Sequence, residues 1–154
     1  LKTAALLDSN VLIAAVAEAH EHHAASLGLL IGGGAGFAVA AHSYAEAFST
    51  LTRQGKLGPF RFSPAEAWAA LESVRAVTAL VGLTAAQIFD ATRDYAQDGG
   101  IGARLFDKLI GEAARVHGIP VIVTWNTTHM RNLFPELSIL TPREFARSAA
   151  TVRR

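Results

Sequence analysis

Most of the 13 acidic residues of this 154-residue chain sit where acids usually sit, but three do not. Asp8 follows the apolar run Ala4-Ala5-Leu6-Leu7 and precedes Ser9-Asn10 and a second apolar run, Val11-Leu12-Ile13. Glu46 lies inside Tyr44-Ala45-Glu46-Ala47-Phe48, with little polar company. Asp107 lies in Leu105-Phe106-Asp107-Lys108-Leu109-Ile110, where its neighbours one helical turn on are Ile110, Gly111 and Ala114. A half-buried carboxylate is costly unless it is paired or binds a cation. Were the three to converge, two carboxylates about 5 Å apart would repel by roughly 3 kcal/mol at an effective dielectric near 20. Either one takes a proton or a divalent cation enters. An all-oxygen donor set suits Mg²⁺ or Mn²⁺ rather than zinc, and such a cation supports phosphoryl-transfer chemistry. The plainer alternatives are three unrelated acids and, for Asp8, a helix cap.

The elements needed to bring these residues together can be read from the apolar runs. Residues 4–7 form a short continuous run, as expected of a strand buried on both faces of a parallel sheet. Ligands gather beyond the carboxyl ends of such strands, where Asp8 falls. Helices are expected from Asn10 to Glu18 and from Ala24 to Ile31, then a glycine-rich connector over 32–36 and a second strand over 37–41. His42-Ser43 should open a helix to about Gln54, with His42 as its cap. Ser63-Pro64-Ala65-Glu66 and Thr84-Ala85-Ala86-Gln87 have the form of capping boxes, and Trp68, Leu71 and Val74 should form a buried stripe. A third strand is expected over 78–81, a break at 98–102, a helix from Arg104 to His117 ended by Gly118, and strands over 120–124 and 138–140. Strands alternating with helices predict a three-layer α/β/α domain with a central parallel sheet of four to five strands. It should occupy 1–148 as a single domain, with 149–154 as a flexible tail.

Bulk composition narrows the classes. Hydrophobic residues make up 51% and charged residues 18%, which predicts a well-filled core. A net charge of +1 gives no bulk attraction to nucleic acid, so any such site must be local. With no cysteine there can be no disulfide, thiol nucleophile or cysteine-held zinc. No apolar run approaches a membrane span, and the apolar start, interrupted by Asp8, lacks the pattern of a cleaved leader, so a cytoplasmic protein is expected. The glycine run at 32–36 lacks the Lys-Ser/Thr ending of a phosphate-binding loop. Asp8-Ser9-Asn10 lacks the second acid of a haloacid-dehalogenase-like phosphatase, and no lysine follows Val123-Thr124 as a receiver domain would require.

Four blocks in order carry a resemblance: Leu6-Leu7-Asp8-Ser9-Asn10; Ala45-Glu46-Ala47-Phe48-Ser49-Thr50-Leu51-Thr52-Arg53; Phe106-Asp107-Lys108-Leu109-Ile110; and Val123-Thr124-Trp125-Asn126-Thr127-Thr128-His129-Met130. Together they resemble the signature blocks of PIN-domain ribonucleases, in particular VapC-type toxins of type II toxin–antitoxin pairs. The resemblance implies Mg²⁺- or Mn²⁺-dependent endonucleolytic cleavage of RNA leaving a 5′-phosphate, neutralisation by a cognate VapB-type antitoxin, and a homodimer. It implies Asp8, Glu46 and Asp107 as the metal-site acids. Asn126 matches a position where many PIN domains carry Asp, and is expected to orient water or metal. His129 is expected as a phosphate contact, and Ser9 and Asn10 as residues that hold Asp8 by hydrogen bonds or simply cap the following helix. The alternative is a catalytically inactive PIN-like module acting through its antitoxin complex.

The other candidates are weaker. His20, His22 and His23 have no carboxylate at zinc-ligating spacing and are expected to form a polar connector. Arg53, Lys56, Arg61, Arg104, Lys108 and Arg131 could hold RNA phosphates or simply face solvent. Asp90, Asp94 and Asp98 should line a solvated face, as should Arg104, Lys108, Glu112 and Arg115. Trp68 and Trp125 are expected to pack rather than to stack on bases.

Overall fold

β1 (Thr3–Leu7) is the centre of the sheet because it is apolar on both of its faces. Ala5 and Leu7 point into one core and Leu6 into the other, the two-residue alternation of an extended chain. The computed structural model describes residues 3–32 and 36–152. Part of the expected glycine connector, 33–35, lies outside them. β2 (Gly36–Ala40), β3 (Ala79–Val81), β4 (Val121–Val123) and β5 (Ser138–Leu140) complete a five-stranded sheet in the order β3-β2-β1-β4-β5. Every pairing is parallel. The sheet therefore grows outward in one direction from β1 to β3, then returns to the other side of β1 for β4 and β5. That reversal places a crevice between the ends of β1 and β4.

Helices cover both faces. α1 (Ser9–Val16), α2 (His23–Ile31), α3 (Ala41–Thr52), α4 (Pro64–Ala76) and α8 (Pro142–Val152) lie on the side of Leu7, Phe37 and Val39. α6 (Leu105–Val116) and α7 (Thr127–Leu133) lie on the side of Leu6, Ala38 and Ile122, with α5 (Ala85–Gln97) packed against α6. This is the three-layer α/β/α arrangement predicted. Both predicted capping boxes are present: Ser63 with Glu66, and Thr84 with Gln87. Between α5 and α6 the chain turns through Gly99 and Gly102, whose φ angles of 77° and 67° are left-handed and favour glycine.

The structure corrects several local expectations. Trp68 is 61% exposed, and Ala67 takes its place beside Leu71 and Val74 in the core. A bulky aromatic at that position leaves the buried stripe by one helical step, so the tight seat goes to the small residue. His42 does not cap α3: the cap position is Ala40, and His42 lies inside the first turn. On α6, Lys108 and Glu112 do not form a solvated face, since they pair at 2.8 Å and are largely covered. α8 continues to Val152, so 149–152, expected in the tail, are helical. None of the described helices is long and apolar enough to cross a membrane.

Candidate active site

Asp8 is the last residue before α1, and its carboxylate caps that helix by accepting from Ser9 N at 2.6 Å. It is 3% exposed. Thr124, the residue after β4, donates its hydroxyl to Asp8 Oδ2 at 2.7 Å, and Asn10 Nδ2 donates to the same oxygen at 3.1 Å. Asn10 also reaches across the crevice: its Nδ2 donates to Thr124 Oγ1 at 3.0 Å, and its Oδ1 accepts from Trp125 N at 3.1 Å. β1 and β4 pair directly, so these bonds tie together the two chain segments that leave the sheet at its reversal point.

Glu46 and Asp107 arrive from other elements. Glu46 is on the second turn of α3, which starts directly at the end of β2, and Asp107 is in the first turn of α6. Ser9 Oγ lies between Asp8 and Glu46, hydrogen-bonded to Glu46 Oε1 and 3.3 Å from Asp8 Oδ1. One hydroxyl has one proton, so Ser9 cannot donate to both carboxylates at once. Asp107 Oδ2 is bonded to His129 Nδ1 at 2.5 Å. Burial first, and then the negative charges of Asp107 and Glu46, push the Asp8 carboxyl up to about 7, although the Thr124 and Ser9 hydrogen bonds act in the opposite direction. Glu46 is also raised, chiefly by burial and further by Asp107.

The three acids singled out in the sequence thus share one neighbourhood at the carboxyl end of the sheet. Their oxygens suit a hard divalent cation. Glu46 Oε2 is buried with no hydrogen-bond partner among the described residues, and the mutual repulsion is of the sign a cation would relieve. Among the described residues, no three His, Asp and Glu side chains stand at metal-ligating spacing.

The remaining expected residues fall into distinct places. Ser9 and Asn10 hold Asp8, as described. Asn126 is exposed; it begins α7 without a side-chain cap, and its backbone N donates to Thr124 Oγ1 at 3.0 Å. His129 is set against Asp107. Arg104 is exposed in a 3₁₀ turn before α6. The histidine connector packs its rings: His22 stacks on Trp125 with ring centres 3.8 Å apart, His20 lies over Phe60, and His23 Nδ1 meets Ala14 O. Trp125 is therefore a packing residue, with its Nε1 donating to Ser26.

Two residues at the site were not expected there: Thr124, and His42, expected only as a helix cap. Thr124 is fully buried and holds Asp8, yet it read only as a strand end. A hydroxyl directly after an apolar strand, level with an acid that ends a neighbouring strand, is the pattern that would have found it. His42 lies with Glu46, Arg53, Phe106 and Asp107 around one cavity of about 510 Å³. Burial pulls its imidazole below the usual histidine range.

The family model described as PIN domain matches residues 5–132, from β1 into α7. No curated protein matches the sequence. Solved structures that share the fold include VapC20 of Mycobacterium tuberculosis, described as a sarcin-ricin loop cleaving toxin. It is 15% identical with a TM-score of 0.65, over 82% of this chain and 93% of that one. Another is VapBC2 from Rickettsia felis, bound to a DNA fragment from their promoter, at 17% identity and a TM-score of 0.61 over 88% of this chain and 96% of that one. The parallel sheet with β1 at its centre and acids drawn to one end agrees with the sequence match, and the chain belongs to the PIN-domain family.

Proposed function

We propose that this chain is a metal-dependent endoribonuclease of the VapC toxin type, hydrolysing RNA phosphodiesters and neutralised by a cognate VapB-type antitoxin. The observation that carries the reading is the meeting of Asp8, Glu46 and Asp107 at one sheet edge, where Asp107 and Glu46 disfavour the ionisation of Asp8 and Asp107 that of Glu46. Membership of the PIN family supports the chemistry. A fold shared with a toxin that cleaves the sarcin-ricin loop supports a cleaving toxin, and one shared with VapBC2 supports an antitoxin partner. A homodimer and a cytoplasmic setting complete the proposal.

Asp8, Glu46 and Asp107 would hold Mg²⁺ or Mn²⁺, which when bound activates water and neutralises charge developing on the phosphate. Water adds to phosphorus, the bond to the 3′ oxygen breaks, and the products are a 5′-phosphate and a 3′-hydroxyl. Ser9, Asn10 and Thr124 keep Asp8 oriented through the reaction, because each fixes one of its oxygens. His129 does the same for Asp107. Asn126, whose side chain has no partner among the described residues, is free to orient the attacking water or the phosphate. Arg104 is exposed nearby and suits a flanking phosphate.

The test is digestion of a total RNA pool with Mg²⁺, with Mn²⁺ and with chelator, run beside Asp107→Asn. Cleavage by the wild-type chain should require the cation and fall by orders of magnitude in the variant. Indifference to both would favour the inactive module acting through its antitoxin complex.

A further inference from the structure

Trp125 is the middle of a three-residue segment, 124–126, that joins β4 to α7 and has no regular structure of its own. The Thr124 hydroxyl donates to Asp8 Oδ2, and Asn126 makes no side-chain bond that would cap α7. What both neighbours do at the site therefore depends on where this backbone is held.

The segment is held through Trp125, at points supplied by different elements. Asn10 Oδ1 in α1 accepts from its backbone N at 3.1 Å. Ser26 Oγ in α2, wholly buried, accepts from its indole Nε1 at 2.9 Å. His22, directly before α2, lies flat on the indole, with ring centres 3.8 Å apart and planes 13° apart. Arg143 of α8 places its guanidinium over the same ring, 5.8 Å from its centre. His22 is itself held, because its backbone N donates to His20 Nδ1 at 3.0 Å and the His20 ring stacks on Phe60. Trp125 also borders the apolar core, and that contact alone would set only its depth. The indole hydrogen bond and the stack fix the rotation of the ring as well, and with it the backbone on either side.

Resting on the nuclease reading above, we propose that Trp125 is a positioning residue. Clamped by His22 and Ser26, it fixes the backbone from which Thr124 orients Asp8 and Asn126 is presented to the reacting phosphate. It touches neither cation nor RNA. The start of α2, which supplies no acid to the site, thereby controls the site's geometry. Loosening the clamp weakens cation binding through Thr124 and lowers turnover, and leaves RNA binding as it was.

The test uses the full chain and two measurements. One is calorimetric titration of Mn²⁺ without RNA. The other is kcat and KM for an end-labelled oligoribonucleotide taken from the fragments cut in the pool digestion. Trp125→Ala should weaken Mn²⁺ binding and lower kcat by about tenfold or more, with KM for the RNA changed by less than about twofold. His22→Ala and Ser26→Ala should each show part of that loss, and His22→Phe, which keeps a flat ring on the indole, should restore most of it. In a Thr124→Val background, Trp125→Ala should weaken Mn²⁺ binding little further, because both act on Asp8 by one route. Thermal unfolding separates these effects from loss of fold, and the His22 and Ser26 variants decide the matter if Trp125→Ala does not fold. Wild-type Mn²⁺ affinity and kcat in folded His22→Ala and Ser26→Ala would overturn the clamp. So would equal losses in His22→Phe and His22→Ala, or losses that add in full to those of Thr124→Val. Each of these leaves an active wild type, whereas a wild type that neither binds Mn²⁺ nor cleaves RNA would remove the nuclease reading and this inference with it.

Discussion

Asp8 accepts hydrogen bonds from Ser9, Asn10 and Thr124, and its carboxyl still stands at about 7 because burial and two neighbouring acids outweigh them. The consequence for stability has a definite sign. In the unfolded chain the group ionises near 3.8, so between that value and about 7 the folded state holds a proton that the unfolded state has released. Stability of the metal-free protein therefore falls as pH rises through that window, by on the order of 4 kcal/mol, and levels off above it. Asp8→Asn should abolish cleavage while flattening this fall, and should melt above the wild type at about pH 8 in chelator. Circular dichroism melts of both proteins across that range check it, and parallel profiles would contradict it. Thr124→Val removes the hydroxyl that donates to Asp8 Oδ2 and accepts from Asn10 and Asn126. We expect a loss of about 10- to 100-fold in Mn²⁺-dependent cleavage, largely restored in Thr124→Ser, measured as rate against cation concentration.

Gly111 shows how tightly the elements behind the site are fitted. A methyl group there would lie 1.9 Å from the ring of Phe134, which is fully buried beside α6. Helix propensity alone predicts that Gly111→Ala stabilises α6. Because that buried ring has no room to give, we expect the opposite: destabilisation by about 1–3 kcal/mol, read as a lowered melting temperature. The elements themselves were largely legible, since local signals determine them. Ser63-Pro64-Ala65-Glu66 and Thr84-Ala85-Ala86-Gln87 satisfy backbone groups within their own four residues, so no distant contact could change them. Trp68 was misread because helical spacing gives the angle of a side chain and not the depth of the groove it meets. His42 was misread as a cap because Ala40, with no side-chain donor or acceptor to signal it, holds that position at the end of β2.

At the scale of the molecule, the site depends on sheet order. Asp8, Glu46 and Asp107 are far apart along the chain and meet because β1 lies between β2 and β4. The types of these acids and their apolar surroundings could be read from the sequence, as could their family resemblance. Their convergence could not be read from spacing, because it arises from long-range pairing of parallel strands. Thr124 was overlooked for the same reason: its role exists only once β4 lies against β1. The smaller displacements, such as an exposed Asn126 and a His129 turned to Asp107, depend on how α7 leaves the sheet. A nuclease of this kind needs the three acids to form one cation site rather than to stand as separate acids. Calorimetric titration of Mn²⁺ into the wild-type chain and into Asp8→Asn, Glu46→Gln and Asp107→Asn tests this most directly. We predict saturable binding in the wild type that weakens by about tenfold or more in each variant. Binding left unchanged by all of them, or no binding in the wild type, would contradict it.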